Sequence, residues 1–194
     1  MSQIDPQSID ALIRSRRSVF PKQYDGREVP RELIERLLEN ANWAPTHGLT
    51  EPWRFVVFAG EGRKALSEMQ SALYRQVSGE AFDEAKYQKL RQNPLQASHV
   101  IAICMKRHAR IPEVEEIEAV ACAVQNMYLT ATAYGLGAYW ASGGVTYREE
   151  LKEHFGLGPE DRVLGFFYVG YPAGEVPDSR RGPISEKVSW VTEA

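Results

Sequence analysis

From Glu113 to Tyr134 the chain carries apolar or small residues on almost every side of one helical repeat. Val114, Ile117, Val120, Ala121, Val124, Met127, Tyr128 and Ala131 mark an i, i+3/i+4 stripe, and Ala119, Cys122, Ala123 and Ala133 fill the positions between them. Glu113, Glu115, Glu116 and Glu118 crowd the first turns, where the helix macrodipole favours negative charge, and Gly135 supplies a left-handed cap. A helix that is apolar nearly all round has to be covered on most faces. A sheet of a few strands covers one side only. An equivalent helix from a second copy, crossing at Ala119, Cys122, Ala123, Gln125 and Asn126, is the expected cover, which makes the chain a homodimer.

The next constraint is the stretch Trp43-Ala44-Pro45-Thr46-His47-Gly48-Leu49-Thr50-Glu51-Pro52-Trp53-Arg54-Phe55-Val56-Val57-Phe58. Pro45 and Pro52 fix φ and push the preceding residues towards extended geometry, so Ala44 should end a helix and Glu51 should be extended. Trp53 to Phe58 is aromatic and β-branched, the composition of a buried strand. Loops held between rigid elements often carry binding groups, although a corner whose aromatics are plain core reads the same way.

Upstream, Asp5-Pro6 is an N-cap followed by proline at the first helical position, and Ile9, Leu12 and Ile13 share a face. That helix runs out in Arg14-Ser15-Arg16-Arg17-Ser18. Lys22 to Val29 reads as a polar loop turning at Asp25-Gly26, and Pro30 opens a second helix with Leu33, Ile34, Leu37, Leu38 and Ala41 in one stripe. After the strand Trp53–Ala59, the segments Arg63–Val77 and Phe82–Gln92 read as helices of a charged surface excursion, the second stopped before Pro94. Ser98–Met105, Gly137–Ala141 and Arg162–Gly170 read as further strands, and Tyr147–Phe155 as a short helix. Beyond Tyr171 the chain turns to glycine, proline and charge and closes on the strand-like Val188-Ser189-Trp190-Val191. Such a tail should wrap across the dimer and pair with the other sheet edge. The whole predicts one α+β (α/β-like) domain over residues 1–194, a central mixed sheet of about four strands flanked by helices, with residues 171–194 as an extended tail.

Composition excludes several classes. A formal charge of −3 gives no pull towards nucleic acid or anionic membrane. No apolar run approaches about 18 residues, and Met1 to Gln7 has no signal-peptide core. The expectation is a cytoplasmic protein with neither membrane nor nucleic-acid partners. Cys104 and Cys122 lie in apolar regular segments and suit buried thiols. His47, His99, His108 and His154 show no ligand spacing and C-x-x-C is missing, so no metal site is expected. Neither G-x-S-x-G, a P-loop nor G-x-G-x-x-G after a strand occurs, which argues against a hydrolase and a Rossmann dehydrogenase.

Arg16-Arg17-Ser18 remains as a candidate anion site: guanidinium forks take phosphate bidentately and the serine adds a hydroxyl. Cations are favoured at a helix C-terminus in any case, so a solvated helix end reads equally well. A second pair, Arg180-Arg181, could close on the same anion. The order is then informative: Arg16-Arg17-Ser18, Ala44-Pro45-Thr46-His47, Glu51-Pro52-Trp53-Arg54-Phe55-Val56-Val57, the long Ala-rich helix to Tyr134-Gly135-Leu136-Gly137, Trp140-Ala141-Ser142-Gly143, and Arg180-Arg181-Gly182-Pro183. In that order and spacing, essentially the whole chain resembles the FMN-dependent nitroreductase family, especially its short members.

The resemblance implies a nitroreductase-type fold whose tail extends to the partner subunit, with FMN bound at the dimer interface. It places Arg16, Arg17 and Ser18 on the FMN phosphate, ribityl chain and ring edge, and Arg181 or Arg180 near the phosphate. Trp43 and His47 would reach the flavin at the interface, His47 from the partner chain and as a positioning group. Trp140, Ala141 and Ser142 would border the ring. NADH or NADPH would reduce the flavin, and a small electron-deficient acceptor such as a nitroaromatic or quinone would reoxidise it in a ping-pong cycle. Other reductive or fragmentation chemistry on the same flavin, or non-enzymatic flavin binding, are the alternatives. Where many relatives have Asn and Gln this chain has Thr50 and Glu51, and Phe20 stands where a basic residue is common. A cation there would stabilise the reduced flavin anion.

Overall fold

The computed structural model describes residues 5–193. Asp5 caps α1 (Pro6–Ser15), its carboxylate accepting from the N–H groups of Gln7 and Ser8. α2 (Arg31–Ala41) starts after Pro30 and buries Ile34, Leu37 and Ala41, the predicted stripe. β1 (Trp53–Phe58) is followed by α3 (Glu61–Ser78) and α4 (Glu84–Gln96), then by β2 (His99–Met105). α5 (Glu113–Ala133), β3 (Gly137–Ala141), the short α6 (Glu149–Glu153) and β4 (Arg162–Gly170) complete the frame.

The four strands lie in the order β1-β2-β4-β3. All three pairs are antiparallel, so the sheet is not the mixed one expected from alternating helices and strands. Parallel pairing among the described residues is confined to the isolated bridge between Ser18 and Ala138, which lays the chain after α1 along the edge of β3. The reversal comes from the connections: β1 returns as β2 after the α3–α4 hairpin, and β3 as β4 after the segment that carries α6.

Strand alternation splits the core in two. Trp53, Ile101, Ile103, Met105, Ala138, Phe167 and Val169 face α2 and α5. Val100, Ala102, Cys104, Phe166 and Tyr168 face a second layer that includes Leu66, Leu73 and Tyr74 of α3. α3 is therefore a core helix and not a surface excursion: Leu66, Ser67, Gln70, Ser71, Leu73 and Tyr74 are buried, and the Arg63 guanidinium donates to the Ala97 carbonyl at the end of α4. α4 continues through Pro94 to Gln96. The proline falls in the last turn, where few intrahelical bonds remain to be lost, and its ring is buried. Ser67 Oγ donates to the Arg91 carbonyl of the same turn at 2.7 Å.

α5 meets the expectation of burial only in part. Ala119 and Ala123 are covered by the chain's own core, and Asn126 donates to the Asn40 carbonyl of α2 at 3.0 Å. Val114, Ile117 and Cys122 stand exposed on the remaining face, so Cys122 is not the buried thiol expected. Cys104 is buried in β2, and burial pushes its thiol up to about 12. Glu51 also departs from expectation. Its φ is +44°, beside Leu49 at +55°, despite the following proline. Thr46 Oγ1 accepts from the Glu51 N–H at 3.2 Å and shares a hydrogen bond with Thr50 Oγ1 at 3.2 Å, which ties the loop into this conformation.

Candidate active site

The chain leaves α1 at Arg16 and immediately joins the sheet edge, with the Val19 N–H donating to the Ala138 carbonyl at 2.9 Å. That places Arg16 and Ser18 at the C-terminal half of α5. The Arg16 guanidinium lies over the Tyr128 ring, its central carbon 4.9 Å from the ring centre. The Tyr128 hydroxyl accepts a 2.6 Å hydrogen bond from the backbone N–H of Trp140, and the Ser18 side chain adjoins the same oxygen. Burial holds the phenol pKa above its ordinary value, against the pull of these neighbours, so it stays neutral. Three of the expected site residues, Arg16, Ser18 and Trp140, thus meet on one tyrosine.

Nothing in the sequence pattern separated Tyr128 from the core positions around it. The signal that could have found it is chemical: a buried tyrosine hydroxyl needs a partner.

The tail reaches the same place. Ala173 N–H donates to the Gln23 carbonyl at 2.8 Å, and the following residues run back past the end of α1. Arg17 ties them down. Its guanidinium donates to the carbonyls of Pro177 (3.1 Å), Arg14 (2.5 Å) and Arg16 (3.0 Å) and pairs with Asp178 at 2.8 Å. Arg17 is therefore engaged by the chain itself, whereas the resemblance implied that it faces a phosphate.

A cavity of about 390 Å³ is lined by Arg16, Arg17, Ser18, Phe20, Asp178 and Arg181, among others. A neighbouring one of about 610 Å³ shares Arg16 and Arg181 and adds Arg14 and Gln125. Arg181, not Arg180, lines both. Among the described residues neither Arg16 nor Arg181 has a carboxylate within ion-pair distance. Among those residues Arg181 donates only to the Arg180 carbonyl, at 2.8 Å, and two guanidiniums not neutralised by a carboxylate, beside a serine hydroxyl, suit a phosphate group.

The strand end divides its residues. Trp140 is used by the fold: its N–H goes to Tyr128, and its indole N–H donates to the Leu164 carbonyl at 3.1 Å. The indole fits because position 165 is glycine at φ +136°, where a Cβ would fall 2.5 Å from Trp140 Nε1 and from the Ala141 carbonyl oxygen. Ala141 lines a further cavity of about 210 Å³ between the sheet, α3 and α4. Ser142 is exposed.

Trp43 and His47 lie elsewhere. Trp43 is 79% exposed and its indole N–H donates to Glu39 at 3.3 Å. His47 pairs through Nδ1 with Glu115, in the first turn of α5. Thirteen helical residues separate Glu115 from Tyr128, about 20 Å at 1.5 Å per residue, so one chain does not bring His47 to its own Arg16.

Fold and cavities together define an α+β protein with two arginine-lined cavities beside the edge of its sheet. Residues 13–171 match the Nitroreductase family. YdjA of Escherichia coli K12, which bears an NAD(P)H nitroreductase name, is 34% identical over 143 residues, 73% of this chain and 76% of YdjA. A nitroreductase-like protein from Bacillus cereus superposes with a TM-score of 0.81 at 30% identity, covering 100% of both chains. A Desulfovibrio desulfuricans protein solved in complex with FMN superposes with a TM-score of 0.74 at 27% identity, over 99% of this chain and 100% of that one. The chain belongs to the nitroreductase family.

Proposed function

We propose that the chain is an FMN-dependent NAD(P)H oxidoreductase that works as a homodimer and passes two electrons to a small electron-deficient acceptor, such as a nitroaromatic or quinone. The observation that carries this reading is a pair of guanidiniums with no carboxylate partner among the described residues, Arg16 and Arg181, brought from opposite ends of the chain into one cavity beside Ser18. Bound FMN would supply the hydride chemistry at its N5. The chain's own part is to bind and orient: Arg16 and Arg181 hold the phosphate, Ser18 and Tyr128 set the sheet edge, and Ala141 and Ser142 border the ring. No side-chain nucleophile is required. If donor and acceptor use one ring face in turn, the kinetics are ping-pong.

Dimerisation is supported by what one chain leaves uncovered. Val114, Ile117 and Cys122 of α5, Leu49 at 84% exposure, and Ile184, Trp190 (87%) and Val191 in the tail are apolar and open. Leu49 and Glu51 are held at positive φ, and such strain concentrates at working sites. Each site would then take its Trp43 and His47 contacts from the other subunit, with His47 as a positioning group.

The test is anaerobic. Purified protein reconstituted with FMN should elute as a dimer, bleach in the visible on addition of NADH or NADPH, and recolour with a quinone or nitroaromatic. Initial-rate lines at several fixed acceptor concentrations should be parallel. Protein that binds no FMN, or whose bound FMN neither nucleotide reduces, would overturn the assignment.

A further inference from the structure

Glu113, Glu115, Glu116 and Glu118 open α5, and three of these carboxylates have separate partners. Glu113 pairs with Arg162 at 2.8 Å. Glu116 is fully buried, pairs with Arg107 and accepts the His108 N–H at 3.0 Å. Glu115 pairs with Nδ1 of His47. The macrodipole favours negative charge at this helix end in general. Glu115 alone among the four meets a residue expected at the site.

Both members of that pair stand on fixed backbone. Glu115 precedes the buried and clamped Glu116 on the helix. The His47 carbonyl accepts from the Thr50 N–H at 3.3 Å and from Thr50 Oγ1 at 3.2 Å. Gly48 follows at φ +58°, where a Cβ would lie 3.5 Å from Ile111 Cδ1, so the histidine loop rests on the segment that joins β2 to α5. A surface pair is ordinarily worth little, because ordering two long side chains offsets the attraction. Its use here is geometric.

An ionised carboxylate only accepts, so the nitrogen that meets it carries a proton. Neutral His47 then has its hydrogen on Nδ1 and a lone pair on Nε2. Unconstrained histidine favours the reverse. Nε2 has no hydrogen-bond partner among the described residues, and the side chain is 59% exposed in one chain. Resting on the flavin reading above, we infer that Glu115 is a positioning residue: it fixes this tautomer of His47, so that Nε2 is offered as a hydrogen-bond acceptor to an O–H or N–H of the flavin held by the other subunit.

Nitrogen NMR of the imidazoles in the FMN-loaded, 15N-labelled full chain reads the tautomer directly at pH 8.5, where histidine is ordinarily neutral, and His47→Gln identifies the resonances. The wild type should show Nδ1 protonated and Nε2 bare. In Glu115→Ala the proton should move towards Nε2, and the FMN dissociation constant should rise about fivefold, the worth of one ordinary hydrogen bond. Glu118, which has no ion pair among the described residues, provides the control. Glu118→Ala takes the same charge from the same end of the helix and should change neither reading. Equal effects from the two variants would mean that Glu115 acts only on the helix end, and would overturn the proposal. So would a wild-type His47 protonated on Nε2, or an FMN affinity that ignores Glu115→Ala; each leaves the flavin reading standing. A wild type that binds no FMN would overturn that reading, and the role of Glu115 with it.

Discussion

Tyr128 Oη accepts the Trp140 backbone N–H at 2.6 Å, and this one bond joins α5 to the strand edge where the arginine cavity opens. Tyr128→Phe removes the acceptor and leaves a strand N–H without its partner, at a cost of about 1–3 kcal/mol. The core packing against Phe167, ring centres 4.8 Å apart, is kept. Chemical denaturation should show that loss, and FMN affinity should fall with it because the Ser18 side chain adjoins the same oxygen. Unchanged stability and unchanged affinity would mean the tyrosine is only core.

Arg17 and Asp178 form a latch. Asp178→Ala should loosen the segment that carries Arg181 and weaken FMN binding, even though it removes a negative charge next to the phosphate cavity. If Arg17 were itself a phosphate ligand, freeing it from Asp178 would tighten binding instead. Titration of the apoprotein with FMN gives opposite signs for the two cases. The pair is largely exposed on the Asp178 side, so its direct contribution to stability should be below about 1 kcal/mol.

Phe20 packs on Tyr139 and lines the arginine cavity; on the flavin reading, a cation at this position would stabilise the reduced ring. Phe20→Lys should therefore raise the two-electron midpoint potential. One partly exposed charge contributes about 1 kcal/mol, or about 20 mV for such a couple. Spectroelectrochemistry reads the shift directly, and a fall in potential would contradict the placement of Phe20 beside the ring.

His99 is buried in β2, and burial holds its pKa below the ordinary value. Glu28 pulls the other way, and Arg63 adds to the lowering. Above about pH 6.5 the histidine is neutral in both folded and unfolded chains and contributes nothing. As the pH falls below that value the unfolded chain takes up a proton that the folded chain refuses, so stability drops. Thermal midpoints between pH 7.5 and 5.5 should fall for the wild type and fall less for His99→Gln.

Much of the frame was legible because it rests on local rules. Asp5-Pro6 announced α1, the stripe Leu33 to Ala41 announced α2, and the three strands after β1 were bounded to within a residue. The meeting of Arg16 with Arg181 was also readable, as chemistry common to both ends. What escaped is what only distant contacts decide. Gln70 looks like any polar helix residue until α4 covers it, and Arg17 and Asp178 are separated by the whole fold. Tyr128 is hidden among apolar neighbours. Glu51 follows the Thr46 hydroxyl and not the proline rule, and Cys122 is left on the face that a second subunit would cover.

The central claim is that Arg16 and Arg181 hold a phosphate, and the most direct measurement is the dissociation constant of FMN against that of riboflavin, which differs only in lacking it. Each charged hydrogen bond lost should cost about 1.5–3 kcal/mol, so FMN should bind at least about a hundredfold more tightly, and Arg16→Ala or Arg181→Ala should narrow that gap while Arg180→Ala leaves it. Equal affinities for the two flavins would contradict the account.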